Sequence, residues 1–139
     1  MRRSVALLRG RRAGFSLVEM VVVILVLGII AAIAAPKMFN TATDARNNST
    51  KQSIAVVRDA VELYKAKNES YPAAASITTD LKDFLRGNFP APEVGANKGD
   101  ATVKASVKDP IDDAGGTNGW IYNETSGEFR INDATLLTW

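Results

Sequence analysis

The chain has 139 residues, 46% of them hydrophobic, with 17 Lys and Arg against 15 Asp and Glu and with neither cysteine nor histidine, which removes disulfide frameworks, Cys/His zinc sites, thiol nucleophiles and the commonest general base. Arg2, Arg3, Arg9, Arg11 and Arg12 all precede Phe15 and no acidic residue does, so past that point twelve basic residues face 15 acidic ones. Nucleic-acid binding needs Lys and Arg clustered on the working domain, so no nucleic acid is expected among the partners, and the length leaves room for one small folded core.

Residues 1–14 form a basic leader. Residues 15–35 follow as an apolar run whose one charge is Glu19. At about 1.5 Å per residue a helix of that length spans roughly 30 Å, the hydrocarbon thickness of a bilayer. The arginine-rich flank keeps the N-terminus cytoplasmic and sends the C-terminal bulk across. Three readings of this segment compete. A cleaved secretory signal would use Ala32-Ile33-Ala34 as its small-x-small site. A plain anchor would leave Gly14 and Glu19 without a role. The third reading gives Glu19 one, because a carboxylate within a membrane segment costs up to roughly 2.5–3.5 kcal/mol at the bilayer centre and is rare unless something pairs with it. Pro36 sits where the apolar run ends, and proline within a helix removes a hydrogen bond and kinks the axis. Gly28, mid-span, permits close helix packing. Both are also simply tolerated in membrane helices.

Residues 36–67 read as an amphipathic continuation of the same helix. Ile54, Val57, Val61 and Tyr64 recur at helical spacing, with Arg58, Asp59, Glu62 and Lys65 between them. Asn68, Ser70 and the residue before Pro72 end it. Residues 68–139 form a small head. Asp80 is expected to cap a short helix reaching Arg86, with Leu81, Phe84 and Leu85 on one face and Gly87 as its stop. Residues 101–108 alternate as a half-buried strand with Val103, Ala105 and Val107 inward. Residues 120–132 read as a hairpin turning at 124–127, where Gly127 supplies a positive φ. Residues 135–139 are expected to add an edge strand. The fold class is therefore α+β: a long N-terminal transmembrane-plus-amphipathic helix packed on a small antiparallel sheet head, with Trp120 or Ile121, Phe129 and Ile131 buried against the helix.

The run GFSLVEM, Gly14 to Met20, between a basic leader and an unbroken apolar helix, resembles the prepilin signal of type IV pilins and type II secretion pseudopilins. Tyr64 followed by Tyr71-Pro72 is similar to the G class of pseudopilins. The resemblance implies a pilin-like fold and cleavage between Gly14 and Phe15 by a prepilin peptidase. It also implies N-methylation of Phe15, pairing of Glu19 with the N-terminal amine of a neighbouring subunit, and a helix kink at Pro36. The implied partners are other pilin or pseudopilin subunits in a helical filament, an inner-membrane assembly platform and membrane lipid. The implied location is the inner membrane, single-pass, with the head periplasmic. The function implied is that of a structural subunit, not an enzyme and without a cofactor, most similar to a type II secretion pseudopilin. A type IV pilus pilin serving adhesion, motility or DNA uptake, and a non-assembling membrane-anchored binding module, are the alternatives.

Asp109, Asp112 and Asp113, ahead of Gly115-Gly116, are the one acidic constellation of the head. G-class pseudopilins hold calcium in a C-terminal loop, so the resemblance raises calcium here. Aspartate with glycine is equally turn chemistry, and no metal is assigned. The chain also departs from the G-class pattern, having IDDAGGTNGW after Asp109-Pro110 where those heads carry Asp-Pro-Trp-Gly-Asn-Pro-Tyr. No nucleophile elbow, phosphate loop or HExxH-type motif is present.

Overall fold

A computed structural model describes residues 14–139; the leader arginines lie outside the described residues. The chain divides into two compact units, Met1–Asn40 and Thr41–Trp139. Helix α1, Leu17–Asn68, runs from the first into the second. Within the first unit it is apolar on every side, which gives it the length and composition to cross a membrane.

The second unit is the folded head. Here α1 turns amphipathic, and Ile54, Val57, Ala60 and Val61 are buried along one stripe. Each fully buried aliphatic side chain contributes about 1.5–3 kcal/mol. The helix stops at Asn68 because Glu69 takes a left-handed conformation, φ +62°, with its N–H donating to Lys65 O at 2.8 Å. Glycine usually fills that position, since a Cβ is strained there.

Helix α2 is one turn, Ile77–Asp80, followed by a 3₁₀ turn, Leu81–Asp83. Asp80 stands at the N-cap of that 3₁₀ turn, which stops short of the expected Arg86, but its side chain makes no capping hydrogen bond. Its carboxylate instead accepts the Ser76 hydroxyl at 2.6 Å. Ile77 and Leu81 are fully buried, and Phe84 meets Tyr64 edge-on at 5.8 Å.

Three short strands form one sheet in the order β1 (Val103–Ala105), β2 (Trp120–Tyr122), β3 (Phe129–Ile131). β2 and β3 are the expected antiparallel hairpin, Trp120 opposite Ile131 and Tyr122 opposite Phe129. β1 runs parallel to β2, Val103 opposite Trp120, so the sheet is mixed where an antiparallel one was expected. Parallel neighbours need a crossover of about a dozen residues, and residues 106–119 supply it. The alternation expected for 101–108 fails already within β1, where Ala105 is exposed, and beyond it Ser106 is buried and Val107 is 95% exposed. Residues 135–139 form turns, not an edge strand. The Thr135 N–H and hydroxyl both donate to Asp133 Oδ1, at 2.9 and 2.6 Å, and this local bonding diverts the chain.

All three residues of β2 are buried, so both faces of the sheet are covered. Trp120, Tyr122, Phe129 and Ile131 join the α1 stripe in one core. On the other face, Ile121 stands opposite Arg130. Glu128 is bound there by Arg130, Nη2 to Oε1 at 2.5 Å, and accepts the Ile111 N–H at 2.7 Å. The crossover therefore roofs that face, with Ile111 buried beneath it. The final turns are tied to the helix by Arg58, whose Nε donates to Phe129 O at 3.0 Å and Nη2 to Trp139 O at 2.8 Å.

Two backbone positions predict stability changes of opposite sign. Gly127 has φ +78°, and a Cβ there would lie 2.4 Å from the Tyr71 ring; Gly127→Ala should lower unfolding stability by about 2 kcal/mol or more. Glu69→Gly should raise it by up to about 1 kcal/mol. Chemical denaturation of the two variants beside the parent checks both.

Candidate assembly site

Gly14, Phe15 and Ser16 precede α1 in non-helical conformation. Ser16 is its N-cap: the hydroxyl oxygen accepts the Glu19 N–H at 3.1 Å, and Met20 N–H donates to Ser16 O at 3.2 Å. Ser-x-x-Glu is the sequence pattern of a capping box, with the hydroxyl on the third helical N–H and the glutamate in that third position. A carboxylate in the first turn also meets the positive end of the helix dipole. The sequence reading assigned Ser16 no role, although this pattern was the signal that could have found it.

Gly14, Phe15 and Glu19 thus stand together at the entry to the helix, with Phe15 76% exposed. Among the described residues, Glu19 has no cation within ion-pair distance. Beyond it, Val21 to Ile33 present aliphatic side chains on all sides, each of them exposed within the chain. A Cβ at Gly28 would meet nothing within 4 Å, so the small residue relieves no contact inside this copy. Pro36 lies inside α1, toward the end of the same unit.

Of the three acids ahead of Gly115-Gly116, Asp112 and Asp113 are engaged by lysines of the chain itself, whereas Asp109 is exposed and stands outside these pairs. Asp113 Oδ1 accepts the Ser106 hydroxyl at 2.5 Å, and Oδ2 lies 3.7 Å from Lys104 Nζ. Lys104 Nζ also donates to the Asp113 carbonyl. Asp112 pairs with Lys108 at 3.1 Å. The Ser106 hydroxyl, and then Lys104, hold the Asp113 carboxyl below the usual carboxylate range. Thr135 and the Ala96 N–H do the same for Asp133. Burial pushes the Tyr122 hydroxyl, which donates to Pro72 O, well above its ordinary value.

Asparagine amides bind the same crossover. Asn97 Nδ2 donates to Gly116 O and Asn118 O, both at 2.9 Å. Asn132 Nδ2 donates to Gly115 O at 3.1 Å and Asn118 O at 2.8 Å, while its Oδ1 accepts the Gly115 N–H at 2.7 Å. Sequence reasoning missed both asparagines, because they act on residues 14 or more positions away. The donor set does not fit a calcium ion. The Asp112 and Asp113 carboxylates and the carbonyls of Asp113, Gly115, Gly116 and Asn118 already face ammonium or amide donors, and the described residues contain no group of three acidic side chains able to hold a metal.

Comparison with known proteins accords with this arrangement. Residues 9–35 match the model of the prokaryotic N-terminal methylation motif. The chain is 31% identical to the type II secretion system core protein G of Pseudomonas aeruginosa, over 94% of this chain and 97% of that protein. It is 28% identical to the protein of the same name from Aeromonas hydrophila, over 72% of this chain and 68% of the relative. The Vibrio cholerae counterpart is 31% identical over 45% of this chain and 40% of its own length. No solved structure matches the chain.

The lowered carboxyls set an acid limit on the head. A carboxylate whose folded value is depressed stabilises the fold fully above the unfolded value and loses that contribution as pH falls through the folded one. Melting temperature should therefore be nearly level from pH 7 to about 5 and decline below about pH 4, as a pH series of thermal melts would show.

Proposed function

The chain belongs to the family of type IV pilins and pseudopilins, in the group of the type II secretion core protein G, and from that premise we propose how its residues build a filament. It is a structural subunit whose α1 is the assembling element. The observation that carries the reading is the apolar first half of α1, exposed on all sides, with Glu19 held at its capped start.

Before assembly, lipid covers that helix, in the inner membrane with the head on the far side. A prepilin peptidase cuts between Gly14 and Phe15, and the freed amine of Phe15 is methylated. Gly14 suits the cut, since a residue without a side chain lets an extended backbone approach an active site closely. The new amine then stands one residue before the Ser16 cap.

On entering the filament, the helix exchanges lipid for the helices of other subunits. A carboxylate carried into that interior unpaired costs several kcal/mol, and an opposite charge within about 4–6 Å offsets much of this. Glu19 meets the Phe15 amine of a neighbour, and a mis-staggered neighbour leaves both charges unpaired. The pair therefore selects axial register. Gly28 admits a close helix neighbour, and Pro36 bends the axis where the apolar run gives way to the polar one. A head-to-tail contact that does not close on itself yields a helical filament, and an inner-membrane assembly platform drives its growth. By this reading the subunit contributes to protein secretion through polymer growth, with no chemistry of its own.

Glu19→Val should insert and lose its leader as the parent does, yet give at least about tenfold less cross-linkable multimer, equivalent to about 1.4 kcal/mol per contact. Glu19→Asp should retain part of the assembly. Multimer yields from Glu19→Val equal to the parent's would contradict charge pairing and leave the helix as an anchor alone.

A further inference from the structure

We infer that the crossover between β1 and β2 is held by a tethered ammonium and by side-chain amides in the place of a divalent cation, so that this head keeps its loop ordered without calcium. The inference concerns the head alone and stands apart from the assembly reading.

Calcium takes about six to eight oxygen ligands, mostly carboxylates and backbone carbonyls. The segment 106–119 offers such oxygens, and side-chain nitrogen donors of the chain take five of its carbonyls. Asn123 Nδ2 donates to Lys108 O at 2.8 Å, and Lys104 Nζ donates to Asp113 O. Asn132 takes Gly115 O, Asn97 takes Gly116 O, and both take Asn118 O. Lys104 is the centre of this substitution. Its ammonium gathers a carboxylate and a carbonyl of the same residue, Asp113, as a bound cation would. A divalent ion beside it would meet like charge in addition to donor protons.

Asn132 is buried with both of its amide atoms bonded. Among the described residues no buried side-chain nitrogen or oxygen lacks a partner, so no buried side-chain oxygen is left awaiting an ion. The ammonium sits on β1 and the acid on the crossover, so one side-chain contact ties the roof of the sheet to its edge strand. In a chain without cysteine, this contact and the amides do the cross-linking of the loop.

The test uses the full chain in detergent micelles, melted by tryptophan fluorescence in millimolar calcium chloride and again in excess EGTA, with amide hydrogen exchange over residues 109–118. The two melting temperatures should agree within about 1 °C. Lys104→Met, which keeps the stem and removes the ammonium, should speed exchange across 109–118 at least about tenfold while the α1 amides stay protected. Should that variant fail to fold, Asn97→Ala serves the same comparison. Calcium raising the parent's melting temperature by more than about 5 °C would overturn the inference. Exchange over 109–118 unchanged in the variant would overturn it as well.

Discussion

An apolar helix with nothing of its own chain to cover it is the constraint from which the rest follows. Leu17 to Ile33 expose aliphatic side chains around the whole circumference of α1. At about 25 cal/mol per Å² of apolar surface, leaving such a helix in water is prohibitive, so a single copy in aqueous solution has no satisfactory state. Lipid satisfies the surface, and so do the helices of other copies. A subunit that moves from one cover to the other needs a residue that distinguishes right from wrong neighbours, because packing aliphatic against aliphatic does not set register. Glu19 is the one charge in the segment, and in the proposed assembly it serves that purpose.

The head answers a different constraint. Its strands are three residues long, too short for backbone pairing alone to specify them. Order comes from cover on both faces: the Ile54, Val57 and Val61 stripe of α1 on one, the crossover 106–119 on the other. The crossover has no regular secondary structure, and side chains bond much of its backbone: Lys104, Asn97, Asn123 and Asn132 take carbonyls, and Glu128 accepts the Ile111 N–H. Arg58 serves the final turns in the same way, its guanidinium spanning Phe129 O and Trp139 O.

The parts of this structure governed by local periodicity were legible in the sequence. The α1 stripe, the 120–132 hairpin with Gly127 at positive φ, and the burial of Phe129 and Ile131 all follow from spacing and turn chemistry, whereas the choice between Trp120 and Ile121 against the helix was settled only by the structure, in favour of Trp120. The direction of β1 was not legible from alternation, which is the same for parallel and antiparallel strands; the length of the segment before β2 was the usable cue. Ala105 and Val107 were both misplaced: Ala105, the last residue of β1, is exposed, and the strand ends there, before Val107. Asp133 and Thr135 bond one another, which turned an expected strand into turns. The partners of Asp113 lie seven and nine residues away and belong to no local motif. At the assembly site, Gly14, Phe15 and Glu19 were named from a motif, while Ser16, the residue that positions Glu19 on the helix, was passed over despite its capping pattern.

In the proposed filament, the charge that would meet Glu19 exists only once the leader is gone, so where the mature chain begins is decisive. Intact and N-terminal mass spectrometry of the protein purified from membranes, with and without a co-expressed prepilin peptidase, reads this directly. The account predicts a peptidase-dependent chain starting at N-methylated Phe15. A chain starting at Ala35, or one that keeps its arginine leader in the presence of active peptidase, would contradict it.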